Sequence, residues 1–100
     1  MGARIAIDRG RIADLCRKWQ VTELALFGSV LRDDFGPDSD VDVLVTFAPG
    51  APWSLFDLVD MMDELEGVLG RKVHLVESEG MRNPIRRRAI LSSREIIHAA

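Results

Sequence analysis

Apolar positions in this chain follow two periods, one helical and one extended, that take turns along its length. Between residues 8 and 19, Ile12, Leu15, Cys16 and Trp19 recur at helical spacing. That pattern predicts an amphipathic helix with Cys16 on its core side. Leu24-Ala25-Leu26-Phe27 then reads as a strand over about 22–27 that ends at Gly28, with a short helical turn beginning near Ser29. After the polar loop Asp33-Asp34-Phe35-Gly36-Pro37-Asp38, a second strand is expected over about 41–47. Ala48-Pro49-Gly50-Ala51-Pro52 breaks the chain, because proline removes donors and both residue types favour turns.

Ser54, followed by Asp57 three positions later, has the form of a capping box. From there Leu55, Leu58, Val59, Met62, Leu65 and Leu69 form an apolar stripe opposite Asp57, Asp60, Asp63 and Glu64. The stripe predicts a second helix whose apolar face, Met61 and Met62 included, is core, and Gly70 stops it. Lys72-Val73-His74-Leu75-Val76 is the third strand, and Asn83-Pro84 opens a third helix running to about Leu91. Glu95-Ile96-Ile97-His98 suits either an edge strand or a continuation of that helix, so residues 92–100 stay open. Trp19 is expected in the core; Trp53 is either a staple onto the second helix or an exposed contact. The order α-β-β-α-β-α defines an α/β domain built on a small sheet.

One hundred residues, 47% of them hydrophobic, suit a single domain, 1–100, with one core. No apolar run approaches the ~20 residues of a membrane span, and no signal-peptide pattern opens the chain. Cys16 stands alone, which excludes an internal disulfide and a thiolate metal cluster. These features predict a cytoplasmic protein without a membrane partner. A net charge of −3 argues against a surface built to grip duplex nucleic acid through many phosphates. Arg82, Arg86, Arg87, Arg88 and Arg94 nevertheless crowd the C-terminal fifth, and Arg87 and Arg88 are expected to serve a partner or substrate surface more than the fold.

The candidate chemistry lies between residues 28 and 45. Gly28-Ser29-Val30-Leu31-Arg32 precedes Ser39-Asp40-Val41-Asp42, which runs into Val43-Leu44-Val45. In a strand, residues two apart share a face and lie roughly 6.5–7 Å apart, so Asp40 and Asp42 can converge on one hard cation such as Mg2+. Glycine lets the backbone approach a ligand closely, free N–H groups in a turn attract phosphate, and Ser29 and Arg32 add a hydroxyl and a charged fork. Together these point to metal-assisted nucleotidyl transfer. An EF-hand reading of Asp38, Asp40 and Asp42 fails, since its required glycine and glutamate positions hold Val43 and Pro49.

Gly28-Ser29-x-x-Arg32 followed by Ser39-Asp40-x-Asp42 resembles the signature of the DNA polymerase beta-like nucleotidyltransferases, and the size resembles the minimal nucleotidyltransferases of prokaryotes. The resemblance implies that family's fold, a small mixed sheet flanked by helices. It implies that Gly28, Ser29, Arg32 and Ser39 bind the nucleotide. Asp40 and Asp42 would be catalytic and hold Mg2+ or Mn2+, with ATP as the substrate whose AMP moves to a hydroxyl. Minimal nucleotidyltransferases often occur as antitoxins of HEPN-domain ribonucleases, so a HEPN-type protein partner is implied as well.

One position departs from the family pattern. Where the third strand should carry a third carboxylate, the register puts His74. An imidazole can ligate a metal or take a proton, but it does not supply the negative charge that Mg2+ prefers. Glu77 points to the opposite face in an unbroken strand. His74 is therefore a catalytic candidate, set against a reading in which the domain binds nucleotide or masks a partner without efficient transfer. His98 has no role that the sequence discloses.

Overall fold

The computed structural model describes residues 5–32 and 35–99. Met1–Arg4, Ala100, and the Asp33-Asp34 pair that opens the expected acidic loop lie outside them. Helix α1 spans Arg9–Lys18, with the Asp8 carboxylate accepting the Arg11 N–H at its start. Strand β1 (Val21–Phe27) ends in a 3-10 turn, Gly28–Leu31, and β2 follows at Val41–Phe47. Helix α2 (Leu55–Leu69) has the capping box read from Ser54 and Asp57, and Gly70 closes it at φ 71° in the left-handed region that glycine adopts without strain. Strand β3 (Val73–Glu77) leads through a short 3-10 turn to α3 (Pro84–Ser93), whose cap is Asn83.

The C-terminal segment resolves the alternative left open by its composition: Glu95–Ala99 is a strand, β4. It lies antiparallel to β1, giving the sheet order β3-β2-β1-β4. Arg9 on α1 donates to the Ile97 carbonyl at 3.0 Å, which ties this edge to the first helix. β1 and β2 are antiparallel, whereas β2 and β3 run parallel with α2 as the crossover. The sheet is mixed, as the family resemblance implied.

Alternation along the strands gives the sheet two buried faces. Leu24, Leu26, Val41, Val43, Val45 and Val73 pack with Ile12, Leu15, Cys16 and Trp19 of the α1 region and with Met61, Leu65 and Leu69 of α2. On the other face Ala25, Phe27 and Leu44 pack with Ile90 of α3. Trp53 follows neither expectation: it packs not as a staple onto α2 but on the end of α1, meeting Trp19 edge to face at 4.8 Å between ring centres, with its indole N–H donating to the Trp19 carbonyl at 2.7 Å.

The apolar stripe of α2 is core over only part of its length. Met61, Leu65 and Leu69 are buried, but Leu55 and Val59 are 80% and 51% exposed. At 100° per residue, Leu55 and Val59 sit roughly 100° around the helix from Leu65, so one face cannot bury both rows.

Candidate active site

The site forms where β1 ends and β2 begins. Phe27, the last residue of β1, lies opposite Asp42, and Gly28 follows with φ +75°. A Cβ on Gly28 would stand 2.3 Å from Oδ2 of Asp42, closer than any side chain can tolerate. Glycine at 28 is required both by backbone conformation and by the carboxylate seated against it. Beyond it, the 3-10 turn buries Val30, leaves Ser29 half-buried, and closes with the Arg32 N–H donating to the Ser29 carbonyl at 2.9 Å. Arg32 is exposed at the end of this turn.

Asp40 and Asp42 flank Val41, which is fully buried, so both carboxylates are kept out of the core beneath α1 and α2. Asp40 is exposed just before β2, while the Asp42 side chain is 25% exposed within it. The parallel register pairs Asp42 with His74, and the His74 Nδ1 lies 3.2 Å from Asp42 Oδ1. Asp42 thus has Gly28 against one oxygen and His74 against the other. Glu77 pairs with Val45, three positions up the ladder. Among the described residues no three histidine, cysteine or acidic side chains stand close enough together to hold a metal.

Ser39 has a loop-closing part. Its hydroxyl accepts the Gly36 N–H at 3.1 Å, while its own N–H donates to the Gly36 carbonyl at the same distance. The acceptor role leaves the hydroxyl proton able to donate to a further group.

Arg71 had no signal in the sequence, because nothing in its neighbourhood marks a residue that acts across 35 positions. Its guanidinium donates to the carbonyls of Gly36 and of Ser39, the latter at 3.0 Å, and lies 4.4 Å from the centre of the Phe35 ring.

The arginine-rich end also divides. Arg87 donates to the Ser78 carbonyl at 2.7 Å and so fastens α3 to the turn after β3. Arg87, though exposed, therefore has a part in the fold as well. Arg94 donates to Glu23 of β1 at 2.8 Å, whereas Arg88 is exposed on α3.

The mixed four-stranded sheet with its helices, and the Gly-Ser turn beside the aspartate strand, are those of the polymerase beta-like nucleotidyltransferase fold. A family model described as nucleotidyltransferase domain matches residues 11–97, and the chain belongs to that family. Its relatives include the protein adenylyltransferase MntA of Thermococcus cleftensis, 33% identical over 85 residues, which make up 85% of this chain and 81% of that protein. Among solved structures, a candidate minimal nucleotidyltransferase superposes with a TM-score of 0.70 at 34% identity, over 86% of this chain and 85% of the other. A chain from the complex of a tri-AMPylated Shewanella oneidensis HEPN toxin with its MNT antitoxin superposes at a TM-score of 0.65, covering 92% of this chain and 70% of that one. At 18% identity this last likeness is one of fold. Among the described residues no helix is long and apolar enough to cross a membrane.

Proposed function

We propose that this domain is a metal-dependent nucleotidyltransferase that moves AMP from ATP to a hydroxyl, with a HEPN-type protein as the partner that carries it. The observation that supports this best is Asp42, whose carboxylate fills the space that a Cβ at Gly28 would need, with the exposed carboxylate of Asp40 two positions before it. The buried Val41 between them keeps both acids out of the core. The adenylyltransferase name of a relative and the AMPylated toxin beside the MNT antitoxin support AMP as the group and a protein as the acceptor.

Two carboxylates supply the hard oxygens a divalent cation takes, with the nucleotide's phosphates left to complete its coordination. Asp40 and Asp42 would hold it. When bound, such an ion neutralises phosphate charge and draws the reacting oxygens together. The chain itself would do the rest by position. Gly28 and Ser29 would receive the β- and γ-phosphates with N–H and hydroxyl donors, and Arg32 and Ser39 would add their donors to the same tail. His74, in contact with Asp42, would hold that carboxylate in place and stand ready to accept the proton of the attacking hydroxyl. In the reaction the acceptor oxygen bonds to the α-phosphorus, the bond to the bridging oxygen breaks, and pyrophosphate leaves.

A second reading has its own observation. The neighbour of Asp42 is an imidazole where the family pattern has a carboxylate, and this favours a nucleotide-binding antitoxin that acts by complex formation. Calorimetry with ATP and Mn2+ or Mg2+ tests what both readings share. Binding is expected in the native protein, and Asp40→Ala and Asp42→Ala should each remove its metal-dependent part. Equal affinity in all three proteins would overturn the site assignment.

A further inference from the structure

We infer that Arg71 is a positioning residue for Asp40, and that the start of β3 sets both aspartates of the site at once. The loop Gly36–Ser39 delivers the chain to Asp40. Within itself it is closed by the paired Gly36 and Ser39 contacts, and Arg71 fixes it to the rest of the protein through the carbonyls at both of its ends. One residue on, the Lys72 carbonyl accepts the Val41 N–H at 2.8 Å, between the two aspartates. Two residues further, His74 reaches Asp42. Arg71, Lys72 and His74 thus address Asp40's loop, the backbone between the acids, and Asp42 in turn.

The chemistry at 71 calls for arginine. Its planar fork spans two carbonyl acceptors while its face rests on the Phe35 ring, a combination an ammonium cannot reproduce. Among the described residues its contacts are to neutral carbonyls and a ring, so the side chain acts there through shape and direction. Arg71 touches no reacting group. It is expected to matter as hydrogen-bonded supports of metal ligands generally do, by holding a ligand where the ion needs it.

The inference rests on the proposed metal site, and its test separates the two. Mn2+ affinity is measured by electron paramagnetic resonance in the presence of ATP for the native protein, Arg71→Lys and Arg71→Ala, with thermal melting alongside. Arg71→Lys keeps the charge and is expected to remain folded with Mn2+ held about tenfold more weakly, and Arg71→Ala more weakly still. Phe35→Leu, which removes the stack and keeps the fork, should fall between native and Arg71→Lys. In transfer assays the loss should appear in kcat with the KM for ATP little changed. If both Arg71 variants bind Mn2+ as the native protein does, or if affinity falls only in proportion to melting temperature, Arg71 is a structural residue alone. If the native protein itself binds no Mn2+, the metal site fails, and the inference with it. If Mn2+ binds but no protein transfers, the transfer reading fails, and the affinity series still decides the part of Arg71.

Discussion

Gly28 and Asp42 fit together as backbone and side chain: the space a Cβ at 28 would need is held by the Asp42 carboxylate, 2.3 Å from where that carbon would be. The turn expected to receive phosphate and the acid expected to hold metal are therefore packed directly against each other. Gly28→Ala should destabilise the fold by about 1–3 kcal/mol, from a strained left-handed φ and the displaced carboxylate. Metal-dependent ATP binding should fall further than that loss of stability explains. Urea unfolding beside calorimetry checks both, and native metal binding in a folded variant would show that Asp42 is not the ligand.

His74 offers the opposite manipulation. His74→Asp would put a carboxylate beside Asp42 Oδ1 in the place of the imidazole. A further anion favours a hard cation, so transfer should quicken and metal preference shift from Mn2+ toward Mg2+. Rates with each metal in turn are the measurement. A slower, folded His74→Asp protein would mean that the imidazole has a task of its own.

Much of this geometry could be read before any coordinates. The strand alternation put Asp42 and His74 on one face and Glu77 on the other, and the parallel register bears that out. Capping residues at Ser54, Gly70 and Asn83 marked helix ends because their chemistry is local. What escaped is non-local. Periodicity groups Leu55 and Val59 with the stripe of α2 but does not show how much of the stripe's width has a neighbour beneath it, so their exposure, 80% and 51%, was hidden. Arg71 and Arg87 spend their donors on backbone carbonyls far along the chain, and a carbonyl carries no sequence signal.

Arg87 and its neighbour Arg88 should now behave differently. Arg87→Glu removes the donor to Ser78 and sets an acid near its carbonyl, and about 1–3 kcal/mol of stability should go with it. Arg88→Glu, on the exposed side of α3, should change stability by less than about 0.5 kcal/mol. Equal melting temperatures for the two variants would contradict the anchoring role.

Cys16 sets an alkaline limit. Burial pushes its thiol up from 9.0 to about 11. The unfolded chain releases this proton at lower pH than the folded one, so the unfolded state gains as pH rises through that window. Stability should fall from pH 9 toward pH 11 with a slope approaching about 1.4 kcal/mol per pH unit from this group. Cys16→Ala should flatten that slope, although the smaller side chain lowers stability at neutral pH. There are no tyrosines to titrate in the same range. Parallel slopes for the two proteins would show that Cys16 ionises alike in both states.

The central claim is group transfer at Asp42. The native protein is incubated with ATP labelled at the α-phosphate, Mg2+ or Mn2+, and a HEPN-type protein as the proposed acceptor, and label is followed onto protein. The account predicts metal-dependent label on the partner, stable to denaturation, released as AMP, and absent when Asp42→Ala replaces the native chain. Partner that stays unlabelled with either metal, while ATP binds and the two proteins associate, would contradict it and leave a domain that acts by binding.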